Sequence, residues 1–256
     1  MHAGAKRSLG QNFLVDKNIV RKIVAALELE PADSVLEIGP GNGALTNFLA
    51  KEAGRVLALE KDSSLAFGLD KDPKVQVVNM DILDLDFSRL DRLPGIKIAG
   101  NLPYNIAQTM LWDLVAQAKN FGKAIFMIQK EVAQRISAPP GNKEYGGLSV
   151  WIQSFTTVKR LFQVPPTVFK PRPKIDSSVI SLTPLPEHQK EFDSLKLAGL
   201  IRTMFQNRRK QIGKILKNYW NDRTKSVLQA CDLDPMMRPE ELVPRDFQRL
   251  SQYLGP

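Results

Sequence analysis

The chain has 256 residues, 43% apolar and 25% charged, with a formal net charge of +9, which is the composition of one large globular domain or of one domain with a small appendage. No run of about eighteen apolar residues exists, which excludes a membrane-spanning helix, and the opening MHAGAKRSLGQNF lacks the apolar stretch of a secretory signal. The single cysteine, Cys231, excludes an internal disulfide and a cysteine-rich metal site, so the expected setting is a reducing cytoplasm and no metal is expected.

In chain order, Asp16 is placed to cap a first helix whose apolar face is Ile19, Val20, Ile23, Val24 and Leu27. After Pro31 the pattern changes to short apolar runs at 34–38, 55–60, 75–81, 96–101 and 124–129, which predict strands. Helices are predicted between them, among them 44–51, stopped by Gly54, and 109–118. Near-continuous apolar strands alternating with helices predict a parallel sheet covered on both faces, hence a doubly wound α/β fold. Further β-rich runs at 147–162 and 179–183 are expected to complete the sheet, with an antiparallel hairpin as one option. Pro184, Pro186 and the polar run 187–191 read as a linker, and 195–219, 224–231 and 239–253 read as helices. The expected division is therefore an α/β domain over 1–185 and a small all-helical domain over 186–256.

Three features point to a nucleotide-like ligand on the α/β part. Gly39, Gly41 and Gly43 fall between a predicted strand and a predicted helix, where glycine allows a sharp turn and close approach of a ligand. Their G-x-G-x-G spacing departs from the dinucleotide fingerprint G-x-G-x-x-G. Glu60 ends the next strand, 21 residues after Gly39, where a carboxylate can accept hydrogen bonds from two ribose hydroxyls. Asp81 ends the third strand, where it can accept from an adenine amino group while Ile82 packs on the ring. Solvated strand ends would look the same one at a time; the convergence of all three favours a ligand crevice.

The tetrapeptide Asn101-Leu102-Pro103-Tyr104 ends the fourth strand. An adenine amino nitrogen is a poor nucleophile because its lone pair is delocalised into the ring. Two acceptors for its N–H hydrogens, the Asn101 side-chain oxygen and the Leu102 carbonyl, would push it toward tetrahedral geometry and aim the lone pair at a methyl donor. Pro103 would stiffen the turn and Tyr104 could stack on the base. Such catalysis is mostly positioning and preorganised dipoles, and needs no strong base. The composition agrees: the only histidines are His2 near the start and His188 in the linker, and Cys231 lies far along the chain from the tetrapeptide. A simple turn would also favour Asn and Pro.

These stretches, with Gly10-Gln11-Asn12-Phe13-Leu14, EIGPGNGALT, ALEKD, NMDIL, NLPYNIA and Val168-Phe169-Lys170-Pro171-Arg172-Pro173-Lys174-Ile175-Asp176-Ser177, closely resemble the KsgA-type ribosomal RNA adenine dimethyltransferases of the small subunit. They occur in the family's order from residue 10 to about 183. The resemblance implies a Rossmann-like methyltransferase sheet that binds S-adenosylmethionine and releases S-adenosylhomocysteine. The implied product is a pair of adjacent dimethyladenines near the 3′ end of small-subunit 16S rRNA, with a role in subunit biogenesis. By its motifs the cofactor set is Gln11, Asn12, Leu14, Gly39, Gly41, Glu60, Lys61, Asp81, Ile82 and Asn101. Phe169 is implied to stack on the adenine face opposite Tyr104.

Charge is distributed unevenly: residues 1–22, 23–118, 119–186 and 187–256 carry +4, −6, +7 and +4. The stretch from Arg202 to Lys225 reads as a helix with one apolar and one basic face, the latter including Arg208, Arg209, Lys210 and Lys214. Lys170, Arg172 and Lys174 add a basic loop. Such groups contact phosphates without reading sequence, although a solvated helix face would carry the same charges. A monomer bound to the small subunit through its RNA is the expected state. Two alternatives stay open: a large-subunit adenine methyltransferase of the macrolide-resistance type, and a non-catalytic RNA-binding assembly or transcription factor on the same scaffold.

Overall fold

The structure is a computed structural model and describes residues 11–69, 72–220 and 223–253. His2 and Gly10, both noted in the sequence, lie outside them. The elements in chain order are β1 (Phe13–Leu14), α1 (Lys17–Ala26), β2 (Ser34–Ile38), α2 (Thr46–Glu52), β3 (Arg55–Glu60), α3 (Ser63–Ala66), β4 (Val75–Asn79), β5 (Lys97–Asn101), α4 (Ala107–Gln117), β6 (Lys123–Gln129) and α5 (Lys130–Ile136). They continue with α6 (Gly147–Phe155), β7 (Thr156–Val164), β8 (Phe169–Lys170), β9 (Ser177–Pro184), α7 (Ser194–Gln206), α8 (Ile212–Trp220), α9 (Arg223–Ala230) and α10 (Pro244–Gln252). The chain forms two compact units, one of residues 1–133 with 157–184, the other of 134–156 with 185–256.

The first unit is built on a seven-stranded sheet ordered β4-β3-β2-β5-β6-β9-β7. From β4 to β6 all neighbours run parallel, and β9 closes antiparallel on β6, with Ala124 opposite Leu182 and Gln129 opposite Ser177. The sequences SVLEI and KAIFMIQ are apolar at successive positions because β2 and β6 are buried on both faces. Asp16 caps α1 as its sequence position suggests, accepting from the Asn18 and Ile19 amides at 2.7 and 3.2 Å. The face so directed buries Val20, Ile23, Val24 and Leu27 against Val35, Leu49, Val56 and Ala99. From β2 the chain moves outward through β3 to β4, then returns to place β5 on the opposite side of β2. The strand order therefore reverses between β2 and β5, and doubly wound sheets open their ligand crevice at the carboxyl ends of such a pair.

A two-stranded ribbon, too short to read from the sequence, pairs β1 with β8 and sets Leu14 opposite Phe169.

The second unit is helical and differs from three expectations. Residues 147–155 form α6 rather than strand, and only 156–164 are extended. The reason is burial: Ser149, Val150, Trp151, Ile152, Ser154 and Phe155 are all buried, so the helix has almost no polar face to reveal a 3.6-residue period. Because α6 packs with α7 and α10, residues 134–156 belong to this unit and not, as the expected boundary at 185 had it, to the sheet. Nor is the stretch 195–219 one helix. It breaks at 207–211, where Lys210 N–H returns to the Asn207 carbonyl at 2.8 Å. At that turn Arg208 is tied to the Glu240 carboxylate and to the Lys143 carbonyl. Tyr145, fully buried, donates its hydroxyl to the Leu242 carbonyl at 2.8 Å, and Phe205 stacks on Phe247 with centroids 5.8 Å apart.

Candidate active site

A cleft opens at the carboxyl ends of β2, β3 and β5, at the point where the strand order reverses, with Met80, Asp81 and Ile82 after β4 also lining it. Gly39 and Gly41 make its floor with φ of +67° and +58°, the left-handed region that costs glycine nothing. A Cβ on Gly39 would stand 3.9 Å from the Asn101 carbonyl, an ordinary contact, so it is the positive φ rather than want of space that calls for glycine there. Gly41 is closer still to its neighbour, a Cβ there lying 3.0 Å from the Phe13 ring.

Glu60 is 5% exposed and locks this floor: its Oε2 accepts from the Gly41 amide at 3.0 Å and its Oε1 from the Asp62 amide at 2.8 Å. Each carboxylate oxygen has a second lone pair, so Glu60 keeps acceptor capacity toward the cleft. Asp81 accepts from the Leu83 amide at 3.1 Å and pairs with the Lys61 ammonium at 2.5 Å. That ammonium holds the Asp81 carboxyl below the usual range, so Asp81 is an acceptor at neutral pH.

Asn101 sits at the end of β5, and its Nδ2 donates to the Asn12 carbonyl at 2.8 Å. Only the amide nitrogen can donate to a carbonyl, so this bond fixes the flip of the side chain and leaves Oδ1 as its free-standing acceptor. The next amide, Leu102 N–H, donates to the Met127 carbonyl of β6 at 3.0 Å, and Pro103 offers its carbonyl to the first turn of α4. Tyr104 is held from its far end, its hydroxyl 2.8 Å from Ser177 Oγ, and burial raises its phenol above the ordinary value.

Every cofactor residue expected from the sequence lines this one cleft: Gln11, Asn12, Leu14, Gly39, Gly41, Glu60, Lys61, Asp81, Ile82 and Asn101. Leu102, Pro103 and Tyr104 line it too. Phe169 does not. It is 3% exposed, opposite Leu14 in the β1–β8 ribbon, and belongs to the core with Leu14, Val164 and Val179. As positioned here it is a packing residue, and stacking on a base would require the ribbon to open.

Of the basic residues, Lys170, Arg172 and Lys174 are exposed on the first unit, and Arg209, Lys210 and Lys214 on the second. Arg208 is the exception, engaged by Glu240 and Lys143 as described. Two residues went unnoticed in the sequence. Ser177 was part of a quoted motif but had no role. Glu37 also lines the cleft at 1% exposure, and as the lone charge inside the strand SVLEI it was a readable signal. Burial pushes its carboxyl up to about 7; the adjacent Thr46 offsets part of that shift and the Glu60 charge adds to it. Glu37 Oε2 and Thr46 Oγ1 complete no hydrogen bond of their own. Among the described residues no group of three or more His, Cys, Asp or Glu could hold a metal ion, and no helix is long and apolar enough to cross a membrane.

Residues 3–255 match the family model described as ribosomal RNA adenine dimethylase. The chain belongs to the ribosomal RNA adenine dimethylase family. Among relatives of this dimethylase are the ribosomal RNA small subunit methyltransferases A of Oleidesulfovibrio alaskensis, 50% identical over 98% of this chain and 91% of that one, and of Maridesulfovibrio salexigens, 49% identical over 96% and 94%. Among solved structures it resembles a dimethyladenosine transferase from Plasmodium falciparum at a TM-score of 0.82 and 25% identity, covering 93% of this chain and 95% of that one. It also resembles the 23S rRNA methyltransferase ErmE at a TM-score of 0.74 and 26% identity, covering 95% and 99%. A Rossmann-like methyltransferase fold with an SAM-type methyl donor thus goes with the dimethylase family to which the chain belongs.

Proposed function

We propose that this dimethylase transfers methyl groups from S-adenosylmethionine to N6 of two adjacent adenines near the 3′ end of small-subunit rRNA, in four transfers that each leave S-adenosylhomocysteine. The observation that carries this reading is the fixed flip of Asn101, which presents an acceptor oxygen in the same cleft as Gly39, Glu60 and Asp81. When bound, the donor supplies an electrophilic methyl on a sulfonium. Glu60 would accept from its ribose, Asp81 from its adenine amine, and the Gly39–Gly41 floor would admit it without a Cβ in the way.

Asn101 Oδ1 and the Leu102 carbonyl would take the two N–H hydrogens of the target amine, turning its lone pair toward the methyl. Tyr104 would stack on the base. The nitrogen would form the new N–C bond as the donor's S–C bond broke, and the N6 proton would pass to water. Positioning of this kind supplies several kcal/mol of rate enhancement without a strong base. A target adenine must leave its stack to reach such a cleft, and the exposed Lys170, Arg172, Lys174, Arg209, Lys210 and Lys214 would hold the RNA by its phosphates. We place the reaction in the cytoplasm, with a monomeric enzyme acting on an assembling subunit.

The large-subunit reading is less well supported, since relatives near 50% identity carry the small-subunit name while the 23S enzyme stands at 26%. A non-catalytic factor would have no need of the intact tetrapeptide. The test is to incubate small subunits that lack these methyl groups, and large subunits in parallel, with labelled donor and map the product by mass spectrometry. Dimethyladenine at two neighbouring positions is expected; label confined to large subunits, or none, would refute the proposal. Asn101→Ala is expected to abolish incorporation while leaving thermal stability intact.

A further inference from the structure

Two members of the tetrapeptide, Asn101 and Tyr104, have a side chain tied at its outer end. Asn101 is fixed through Asn12 and Leu102 through the backbone of Met127, bonds that place the turn but leave the phenol ring free to rotate. What reaches the ring is Ser177, whose Oγ lies 2.8 Å from the phenol oxygen. Ser177 is 0% exposed and opens β9, directly opposite Gln129 of β6. The residue before it accepts from the Lys130 amide at 3.0 Å, and the Asp176 carboxylate accepts from Gln163 of β7. The serine hydroxyl therefore stands on the sheet frame rather than on a loop.

We propose that Ser177 is a positioning residue for methyl transfer, holding the Tyr104 ring in the orientation at which it receives the target purine. This rests on the reading that Tyr104 contacts the base. An aromatic side chain turns about two torsions; the phenol oxygen lies on the axis of the second, so a hydrogen bond there fixes the first and with it where the ring stands. Without it the half-buried phenol would search for another partner, because a polar group left unpaired in such a place is unfavourable. A ring displaced by about 1 Å would lose the near-attack geometry and with it roughly 100-fold in rate. Ser177 touches neither donor nor base, so the donor site should not feel its loss.

The test compares Ser177→Ala, Tyr104→Phe, the double variant and Tyr104→Ala in the full chain, with undermethylated small subunits as substrate. Donor binding is followed by calorimetry with S-adenosylhomocysteine. Ser177→Ala is expected to lower kcat between 10- and 100-fold while the S-adenosylhomocysteine Kd stays as in the parent. Tyr104→Phe removes the same hydrogen bond from its other end and should reproduce that loss even if Ser177→Ala proves less stable. The double variant should then be no slower than either single one. A Ser177→Ala rate within twofold of the parent beside an inactive Tyr104→Ala would overturn the proposal and spare the role of Tyr104. Losses that multiply in the double variant would overturn it as well. Full activity in Tyr104→Ala would remove the reading on which both depend.

Discussion

At the scale of single residues the cleft is defined by which polar atoms are already engaged. Asn101 has its amide nitrogen committed to Asn12, and Glu60 has one lone pair on each oxygen committed to the Gly41 and Asp62 amides. Glu37 is the opposite case, a carboxyl lodged beneath the cleft with Oε2 unpartnered and its titration moved up to about 7. Between about 4.5 and 7 the folded state keeps a proton there that the unfolded chain has released. The penalty is therefore absent below 4.5, grows as pH rises through this window, and is constant above it. Its full size is on the order of 3 kcal/mol. Glu37→Gln should remove it, so the stability gained over the parent is expected to rise between pH 5 and pH 7.5 in denaturant titrations. A gain independent of pH would show that Glu37 does not titrate in this range.

At the scale of elements, what could be read from the sequence depended on whether an element leaves one face polar or one run apolar. The five parallel strands were legible within two residues: burial on both faces writes near-continuous apolar runs in the inner ones, and the edge strand β4 still shows Val75, Val77 and Val78. Gly39, Glu60, Asp81 and Asn101 of the cleft lining were legible because each sits at the carboxyl end of such a strand or just after it, whereas Gln11, Asn12 and Leu14 came from the family resemblance. Helix α6 was not, being buried all round, and the β1–β8 ribbon was too short to set any period. The burial of Phe169 was hidden for the same reason, since only its pairing with Leu14 reveals that it lies in the core. The break between α7 and α8 was hidden because Asn207, Arg208 and Arg209 extend a basic helix pattern on paper, whereas Arg208 turns inward to Glu240. This divides the basic turn into two kinds of residue. Arg208→Ala should cost about 1 kcal/mol, roughly 2–4 °C in Tm. Arg209→Ala and Lys210→Ala should leave Tm unchanged, weaken RNA binding, and each reduce the slope of log affinity against log salt by about 1. Equal salt slopes in all three variants would contradict that separation.

At the scale of the whole molecule, acidic residues gather in 23–118, around the sheet strands that carry the cleft, and the remaining segments are all positive. The chain passes between its two units three times, at 133/134, 156/157 and 184/185. Neither unit is a continuous stretch of sequence. A chain ended after residue 185 would keep α6 but lose α7 and α10, which pack on it, leaving Trp151, Ile152 and Phe155 uncovered. Such a chain is expected to aggregate or bind a hydrophobic dye in solution, as measured by light scattering and dye fluorescence. A monomeric, dye-silent fragment would mean that α6 finds cover without them.

The same interlacing sets a schedule for birth on the ribosome. Helix α6 leaves the exit tunnel long before α10, whose first residue lies 89 positions beyond Phe155. At synthesis rates of about 5–20 residues per second, roughly 5–20 s pass between the two. During that interval a nearly all-apolar segment waits for its cover, so the nascent protein, more than the finished one, is where a holding chaperone would find its grip.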